Sequence, residues 1–302
     1  MAELNLTEQP QLDNCVVIAA WAGWPDAAES ATRALKELVR QLRAVKFGSI
    51  DAEQFYVFTE HRPEISNGPR GSRTLTWPAN EIYYYRAPEG RGRNALLIVG
   101  EEPDLRWRTY TGYLSSVARA NGADLLVTVG ALLDSVPHTR PPRVMGTTTH
   151  DSLGPLYLGI KYPRPNYEGP SGITSATIDA FGRHDIKAVS IWGHAPHYLQ
   201  VSYNPSITMA ILKEVQKFIQ VELDYSTLER QAEEFQQNLV KALDGQQELA
   251  GYVQKLEERF DTEEEARGRP EPRELMAELE AFLRDQRLPG DDEENGEEDT
   301  DI

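Results

Sequence analysis

Short apolar runs recur along the first two thirds of the chain, and amphipathic stretches separate them. Two of them, LLIVG and LLVTV, are continuous rather than alternating, and such strands are covered on both faces, as in a parallel sheet between helices. Strands are predicted at 15–21, 54–58, 82–86, 94–100, 124–130 and 188–192. Alternation of strands with helices is typical of a three-layer α/β sandwich with a mainly parallel central sheet. We expect 15–21, 94–100, 124–130 and 188–192 to be neighbouring central strands.

The amphipathic stretches predict the helices of the outer layers. These helices are predicted at 26–42, 106–122, 172–186 and 204–219. The last of them has the clearest pattern, because Asn204 can cap its first turn and Pro205 suits its first helical position. Its buried face is formed by Ile207, Ile211, Val215 and Phe218.

The pattern changes after residue 222. Apolar residues recur at steps of three and four from Tyr225 to Ala242 and again from Leu249 to Phe260, with a break at Asp244-Gly245. This spacing predicts an antiparallel C-terminal helical hairpin with one apolar seam. A further amphipathic helix is predicted at 274–286. The expected divisions are an α/β core domain at 1–222, a helical appendage at 223–288 and a disordered acidic tail at 289–302.

The net negative charge of the chain excludes some classes of binding partner. The formal net charge of the 302 residues is −17, and the segment from Asp291 to Asp301 alone carries eight acidic groups and no basic one. Nucleic acid and anionic membranes are bound through clustered Lys and Arg, so neither is expected as a partner. The acidic run repels itself and is expected to remain solvated.

The cysteine content and the apolar runs point to a cytoplasmic protein. The single cysteine, Cys15, lies in the apolar run CVVIAAW, excludes an intramolecular disulfide and is expected to be a small buried hydrophobe. The first residues lack the basic start and apolar stretch of a signal peptide. No apolar run approaches the roughly 20 residues needed to cross a bilayer.

The candidate chemistry lies in loops that follow the predicted strands, where α/β proteins bind ligands. Asp26 is placed either to cap the next helix, which is the favoured interpretation, or to act as a functional carboxylate. Glu101 and Glu102 end another strand and could supply a general base or a metal ligand. Adjacent carboxylates point in different directions, so only one of them, with Glu102 as the candidate, should face a cleft.

Two further loops carry candidate residues. His138 and Arg140 follow Asp134 in a proline-rich segment that cannot be helical. Glu168 lies in YEGPSGI, a glycine turn that leads into a helix amino end and is a possible anion cradle. The segment does not match the phosphate-binding pattern G-x-x-x-x-G-K-[ST], and no G-x-G-x-x-G follows a strand.

The stretch SIWGHAPHYLQ, residues 190–200, places two histidines and two aromatic residues around Pro196. The proline removes the helical metal-binding geometry, and the nucleophile elbow G-x-S-x-G is missing. The favoured interpretation is a rigid aromatic loop over a cleft or an interface, with His194 to Tyr198 beyond the strand. For the two histidines themselves, a bracing role through hydrogen bonds to backbone carbonyls is slightly favoured over a functional one. We expect at least one of the two to share a cleft with the segments GALLDSVPHTRP and YEGPSGI.

No metal and no cofactor are predicted, and catalytic residues stay unassigned. The candidate cleft or binding residues are Trp24, Asp26, Glu102, His138, Arg140, Glu168, Trp192, His194, His197 and Tyr198.

Five segments, in order, resemble the signatures of a known family. They are AGWPDAAESA, GEEPDLRWR, VGALLDSVPHTRP, YEGPSGI and SIWGHAPHYLQVSYNPSITMAILKEV. Together they are similar to the proteasome assembly chaperone 2-like family, in its actinobacterial branch of unknown function. The resemblance implies a three-layer core of the nucleoside-phosphorylase type with an added helical segment, and it supplies no catalytic residues.

The resemblance also bears on function. Its eukaryotic members are chaperones of proteasome α-ring assembly, and some end in a hydrophobic-Tyr-X tail; Asp301 stands at the position of that tyrosine here. The first hypothesis is a non-enzymatic protein-binding or assembly factor with protein partners, among which proteasome-related proteins are the candidates. The alternative is an enzyme or a binding protein for a nucleoside- or nucleotide-like ligand at the strand-end loops. A homo-oligomer is expected, with a trimer favoured by the resemblance. The aromatic loop residues that one domain would struggle to hide are Trp24, Trp107, Trp192, Tyr198 and Tyr203.

Overall fold

The structure is a computed structural model that describes residues 3–154 and 168–267. Its strands are β1 (Leu4–Leu6), β2 (Cys15–Ala22), β3 (Val45–Ile50), β4 (Glu64–Asn67), β5 (Arg73–Thr76), β6 (Asn80–Tyr85), β7 (Asn94–Glu101), β8 (Ala123–Asp134), β9 (Val144–Thr148) and β10 (Lys187–Pro196). Its helices are α1 (Ser30–Leu42), α2 (Trp107–Ala120), α3 (Ile173–Gly182), α4 (Pro205–Ile219), α5 (Ser226–Leu243) and α6 (Gln247–Arg267). Strands and helices alternate through the core.

Eight of the strands form one sheet, in the order β1-β3-β6-β7-β2-β8-β10-β9. The four central strands, β7, β2, β8 and β10, run parallel. The outer pairs β6–β7, β3–β6, β1–β3 and β9–β10 are antiparallel. The predicted mainly parallel sheet, with those four apolar runs as its neighbouring central strands, is confirmed.

Helices cover both faces of this sheet. On one face, Val16, Ile18 and Ala20 of β2 pack in a cluster with residues of α1 and α4. On the other face, Val17 and Ala19 pack with residues of α2 and α3. Successive residues of a strand point to opposite faces, which explains why the odd-numbered and the even-numbered residues of β2 are both apolar. The three-layer α/β sandwich is therefore confirmed.

The C-terminal helices lie against the core by different means. α5 packs on α4, and its Leu228 belongs to the cluster of α1 and α4. α6 is held by hydrogen bonds and ion pairs from the loop between β8 and β9. Gly245 has a φ of +80°, a conformation that favours glycine, and forms the turn between the two helices. Among the residues that the structure describes, no helix has the length and apolar character to cross a membrane.

One predicted strand is wrong and several strands were not predicted. The run at 54–58 follows a 3₁₀ turn, Ala52–Gln54, and forms no strand. Phe55 and Tyr56 are buried there because they pack into the α2 side of the core, so their apolar character reflects loop packing. The unpredicted strands are β1, β3, β4, β5 and β9, short and mostly at sheet edges or in the separate β4–β5 pair. The predicted helix at 274–286 and the acidic tail lie outside the described residues.

Candidate functional site

The parallel strands bring their carboxyl ends to one edge of the sheet, and the predicted site residues gather there. β8 and β10 run side by side as far as Asp134 and Pro196, with His194 paired to Leu132. His194 therefore belongs to the strand, and the loop expected from residue 194 begins only at His197. The prediction was wrong because the partner strand β8 is itself longer than its apolar run.

Asp26 anchors the start of α1. Its carboxylate accepts hydrogen bonds from the Ala31 N–H at 2.6 Å, from the Thr32 N–H at 3.3 Å and from the Thr32 hydroxyl. Ala28 and Glu29 have φ of +53° and +47°, and the chain turns there. This turn lets Asp26 reach the N–H of Ala31, five positions further along. Burial raises the pKa of Asp26, although these three hydrogen bonds oppose the shift. The geometry fits the helix-cap interpretation.

Glu102 reaches across to the amino end of α3. Its Oε1 accepts a hydrogen bond from the Ile173 N–H at 2.9 Å. The glycine turn before α3, proposed as an anion cradle, thus already holds a carboxylate of the same chain. A Cβ on Gly172 would lie 3.0 Å from that oxygen, so this close approach favours glycine. Glu168, earlier in the same turn, is exposed.

A cleft of about 760 Å³, here termed the Trp24 cleft, opens beside this turn. Its walls are mostly apolar, and they come from the ends of β2, β8 and β10 and from α3. Trp24 is 72% exposed and Leu133 is 61% exposed, although both are large hydrophobic residues. Residues that line the cleft include Trp24, Leu132, Leu133, Ile178, Ser190 and Trp192.

Trp192 is fixed in the wall of the Trp24 cleft. Its Nε1 donates to the Ser190 hydroxyl oxygen at 2.9 Å, and the Thr128 hydroxyl donates to the same oxygen at 2.9 Å. A Cβ on Gly130 would lie 2.7 Å from the Trp192 ring, so glycine there leaves room for the indole. Ser190 is engaged as an acceptor of two hydrogen bonds and lies in the cleft wall rather than beside a base.

The remaining candidates lie at a second surface, around the loop 136–143. The His138 N–H donates to the Tyr198 hydroxyl oxygen at 2.9 Å, and His138 Nδ1 lies 2.7 Å from that oxygen. The tyrosine can therefore accept from the backbone and donate to the imidazole. Burial lowers the pKa of His138, with Glu257 opposing the shift, which favours the neutral ring that this arrangement needs.

His194 and His197 both make intramolecular contacts. His194 Nδ1 lies 2.8 Å from Asp134 Oδ2. Burial raises the pKa of Asp134, but hydrogen bonds with His194 and with the Ser135 N–H outweigh it and leave the pKa below its ordinary value. His197 Nδ1 lies 3.0 Å from the Asp134 carbonyl oxygen, and its Nε2 lies 3.2 Å from the Tyr252 hydroxyl.

Two arginines of the loop hold α6. Arg140 binds the Asp261 carboxylate through two hydrogen bonds, at 2.8 and 2.7 Å. Arg143 donates from Nη1 to Glu263 at 2.8 Å, and its guanidinium lies 4.4 Å from the centre of the Phe260 ring. Arg140, named as a binding candidate, is thus bound by a residue 121 positions further along the chain.

The structure therefore divides the predicted site into two neighbourhoods. Trp24 and Trp192 line the Trp24 cleft, Glu102 binds the turn before α3 beside it, and Asp26 caps α1. The other neighbourhood, around the loop 136–143, holds His138, Arg140, His194, His197 and Tyr198. His194 lines a cavity of about 380 Å³ together with residues of GALLDSVPHTRP, as expected, but the YEGPSGI segment lines the other cleft. Sequence reasoning missed Leu133, Arg143, Tyr252 and Asp261. Asp261 could have been found from the sequence, because it lies one turn after Glu257 on the same side of an amphipathic helix.

The polar side chains at this edge are mostly engaged with one another. Within residues 3–154 and 168–267, no group of three or more His, Cys, Asp and Glu side chains is placed to hold a metal ion. The Asp134–His194 pair resembles the acid and base of a hydrolase triad. Ser190, which lies on β10 with His194, instead forms hydrogen bonds with Trp192 and Thr128. An exposed tryptophan over an apolar cleft is instead typical of recognition.

Comparison with known proteins places these observations in a family. A sequence model of the PAC2 family matches residues 20–243. A PAC2 family protein from Streptomyces avermitilis is 33% identical over 79% of this chain and 99% of that chain, with a TM-score of 0.71. The Mycobacterium tuberculosis proteasome-assembly chaperone homologue is 35% identical over the same shares, with a TM-score of 0.70.

A more distant structure shares the fold alone. The archaeal proteasome activator from Pyrococcus furiosus is 18% identical over 80% of this chain and 98% of that chain, with a TM-score of 0.61. None of the curated proteins matches the chain.

Proposed function

The chain belongs to the PAC2 family, and from that premise we propose that it is a cytoplasmic, non-enzymatic protein-binding factor that assists proteasome assembly. The family and its proteasome-assembly chaperone homologue support a proteasome-related assembly role in general. The proposal names protein as the partner, with no role for nucleic acid or membrane. It also makes the Trp24 cleft the surface that receives an apolar segment of a proteasome subunit.

The observation that carries the proposal is the exposure of Trp24 and Leu133, which both line an apolar cleft. Large exposed apolar patches on a folded chain mark interaction sites, and tryptophan is enriched among the residues that dominate binding energy. The polar candidates support the same conclusion, because Asp26, Glu102 and Arg140 are each bound within the chain. Such groups stabilise the fold.

The test uses purified proteasome α and β subunits from the organism that encodes the chain. Binding is measured by biolayer interferometry, and ring formation is followed by native mass spectrometry. Trp24→Ser should weaken subunit binding by at least about tenfold, which corresponds to about 1.4 kcal/mol. Leu133→Ser should weaken it in the same direction.

The matched control is Ile65→Ser. Ile65 is 58% exposed, close to the value for Leu133, but it lies in the separate β4–β5 pair and does not line the cleft. Subunit binding should be unaffected by this change. Equal affinity of wild type and Trp24→Ser for every subunit would refute the cleft as the partner surface, and absence of any subunit binding would refute the assembly role.

A small ligand in the Trp24 cleft is the second candidate, and the cleft itself favours it. Its volume of about 760 Å³ falls within the roughly 300–1,000 Å³ typical of small-molecule sites, and a few polar groups such as Ser190 interrupt its apolar walls. A thermal-shift screen with nucleosides and nucleotides tests this alternative. A compound that raises the melting temperature of wild type but not of Trp192→Ala would support it.

We further propose a homo-oligomer, with a trimer favoured. Of the five aromatic loop residues that motivate it, Trp24 is exposed and Trp107, Trp192, Tyr198 and Tyr203 are half-buried, so the support now rests mainly on Trp24 and its neighbour Leu133. Sedimentation equilibrium at micromolar concentration measures the state directly. A single species of 34.0 kDa would overturn the proposal.

A further inference from the structure

The loop 136–143 and α6 are complementary in charge. The loop carries Arg140 and Arg143 and no acidic residue, whereas α6 carries seven acidic and three basic residues. We term the surface formed by this loop with His197 and Tyr198 the Arg140 groove. Arg140 and Arg143 supply cations to carboxylates of α6, and the Thr139 hydroxyl donates to Glu257. The groove is therefore a basic surface, unusual on a chain with a net charge of −17.

The buried apolar residues of α6 follow a regular pattern. Val253, Leu256 and Phe260 are buried at positions i, i+3 and i+7, which lie along one face of a helix. Glu257 and Asp261, one turn apart, meet Thr139 and Arg140 beside that face. The pattern is that of an amphipathic helix in a groove, with apolar anchors flanked by carboxylates.

The fit of α6 to the groove is incomplete at Arg143. Its side chain is only 8% exposed, and its Nη1 is bound by Glu263. Its Nη2 lies 3.1 Å from Glu264 in an ion pair, but neither Nε nor Nη2 makes a hydrogen bond. Buried guanidinium donors are expected to be satisfied, so the groove can accommodate a carboxylate better placed than those of α6.

We propose that the Arg140 groove is a docking surface for an acidic amphipathic helix of a partner protein, and that α6 occupies it until such a helix competes. The contacts that α6 makes suit exchange, because Arg140 and Asp261 are 32% and 48% exposed and ion pairs of that kind are weak. The partner helix carries apolar residues at i, i+3 and i+7 and carboxylates at i+4 and i+8. This surface is separate from the Trp24 cleft, and the inference does not depend on the proteasome role.

The test uses the full chain and a fluorescein-labelled peptide of residues 247–267 as the competing helix. In the double variant Glu257→Ala/Asp261→Ala, α6 loses its bonds to Thr139 and Arg140 while the groove stays intact. Fluorescence anisotropy should show the peptide binding this variant at least about tenfold more tightly than wild type, because more of the protein has an open groove. The matched control is Glu258→Ala/Glu265→Ala, with the same charge change at two exposed positions of α6; its affinity should equal that of wild type.

Charge reversal identifies the groove as the binding surface. Adding Arg140→Glu to the first double variant should abolish binding of the peptide, and a peptide carrying Asp261→Lys should restore it. Circular dichroism confirms that each variant is folded, and hydrogen exchange should show faster exchange of α6 amides when excess peptide is added to wild type. Equal affinity of the two double variants, or binding unaffected by Arg140→Glu, would overturn the proposal. A concentration-dependent dimer that Arg140→Glu abolishes would assign the groove to α6 of a second copy and would also overturn a foreign partner.

Discussion

Replacement of Asp26 by alanine tests whether this carboxylate supports the fold or the function. Asp26 is 7% exposed and accepts three hydrogen bonds from Ala31 and Thr32 at the start of α1. Asp26→Ala removes every one of these acceptors. The two N–H groups and the hydroxyl are then left at the amino end of a helix whose own first residues provide no side-chain cap.

The magnitude follows from the donors that lose their partner. Loss of a helix cap costs about 0.5–2 kcal/mol, and each buried donor left unpaired costs about 1–3 kcal/mol. Because these three interactions share one carboxylate, their individual costs are not additive and the total is smaller than their sum. We expect Asp26→Ala to lower the free energy of unfolding by about 2–4 kcal/mol, and Asp26→Asn, which keeps one acceptor, by about 1–2 kcal/mol.

Urea denaturation followed by circular dichroism measures the change, and Asp51→Ala is the matched control. Asp51 caps a 3₁₀ turn through a single bond to the Glu53 N–H at 2.9 Å, so its loss should cost only about 0.5 kcal/mol.

The free energy of unfolding should also depend on pH. Burial raises the pKa of Asp26 in the folded chain, so the stability it contributes is full below about pH 3.9 and declines as pH rises through the folded-state pKa. The destabilisation by Asp26→Ala should therefore be larger at pH 4 than at pH 7. If Asp26→Ala is no less stable than Asp51→Ala yet loses partner binding, Asp26 is a functional carboxylate and the anchoring role is refuted.

Three further outcomes are expected. Burial lowers the pKa of His138, so stability should fall as pH drops from about 6.5 towards that lowered value; in urea titrations this fall should be smaller in His138→Gln, and an identical fall would exclude His138 as its source. Burial raises the pKa of the Cys15 thiol to about 12, so native protein should react with a thiol reagent only after unfolding, and rapid labelling without denaturant would contradict this. Gly130→Ala places a methyl group 2.7 Å from the Trp192 ring and should cost about 1–3 kcal/mol with a shift in tryptophan fluorescence; an unchanged melting temperature would show that the indole moves freely.

The central sheet could be predicted because burial on both faces leaves a direct signal. Strands β2, β7, β8 and β10 are covered by helices on each side, so nearly every position must be apolar. Edge strands carry no such signal: β9, with the sequence VMGTT, pairs on one side only and is half-polar. The false strand at 54–58 arose for the opposite reason, because Phe55 and Tyr56 are buried by a loop without pairing.

The candidate site could be predicted only in part, because its geometry depends on contacts between distant residues. Topology places the carboxyl ends of parallel strands together, and this brought Trp24, Glu102 and Trp192 into one neighbourhood. No local pattern could show that Arg140 binds Asp261, or that His138 bonds Tyr198, 60 residues away. Sequence spacing shows which residues share a strand or a helix face, but the pairing of loops is decided by the packing of the whole chain.

A side chain near the strand ends can either stabilise the fold or bind a partner. The two roles differ in how far its hydrogen-bonding groups and apolar surface already have partners within the chain. Asp26 and Glu102 have acceptors filled by backbone N–H groups of nearby helices, so another ligand would have to displace those bonds. Arg143 keeps buried donors without hydrogen bonds, and Trp24 keeps most of its ring in water. Both conditions are costly for an isolated chain and are relieved by a partner that supplies carboxylates or apolar surface. This criterion supports the two proposed interaction surfaces, the Trp24 cleft and the Arg140 groove, whereas Asp26 and Glu102 hold the helices that they cap.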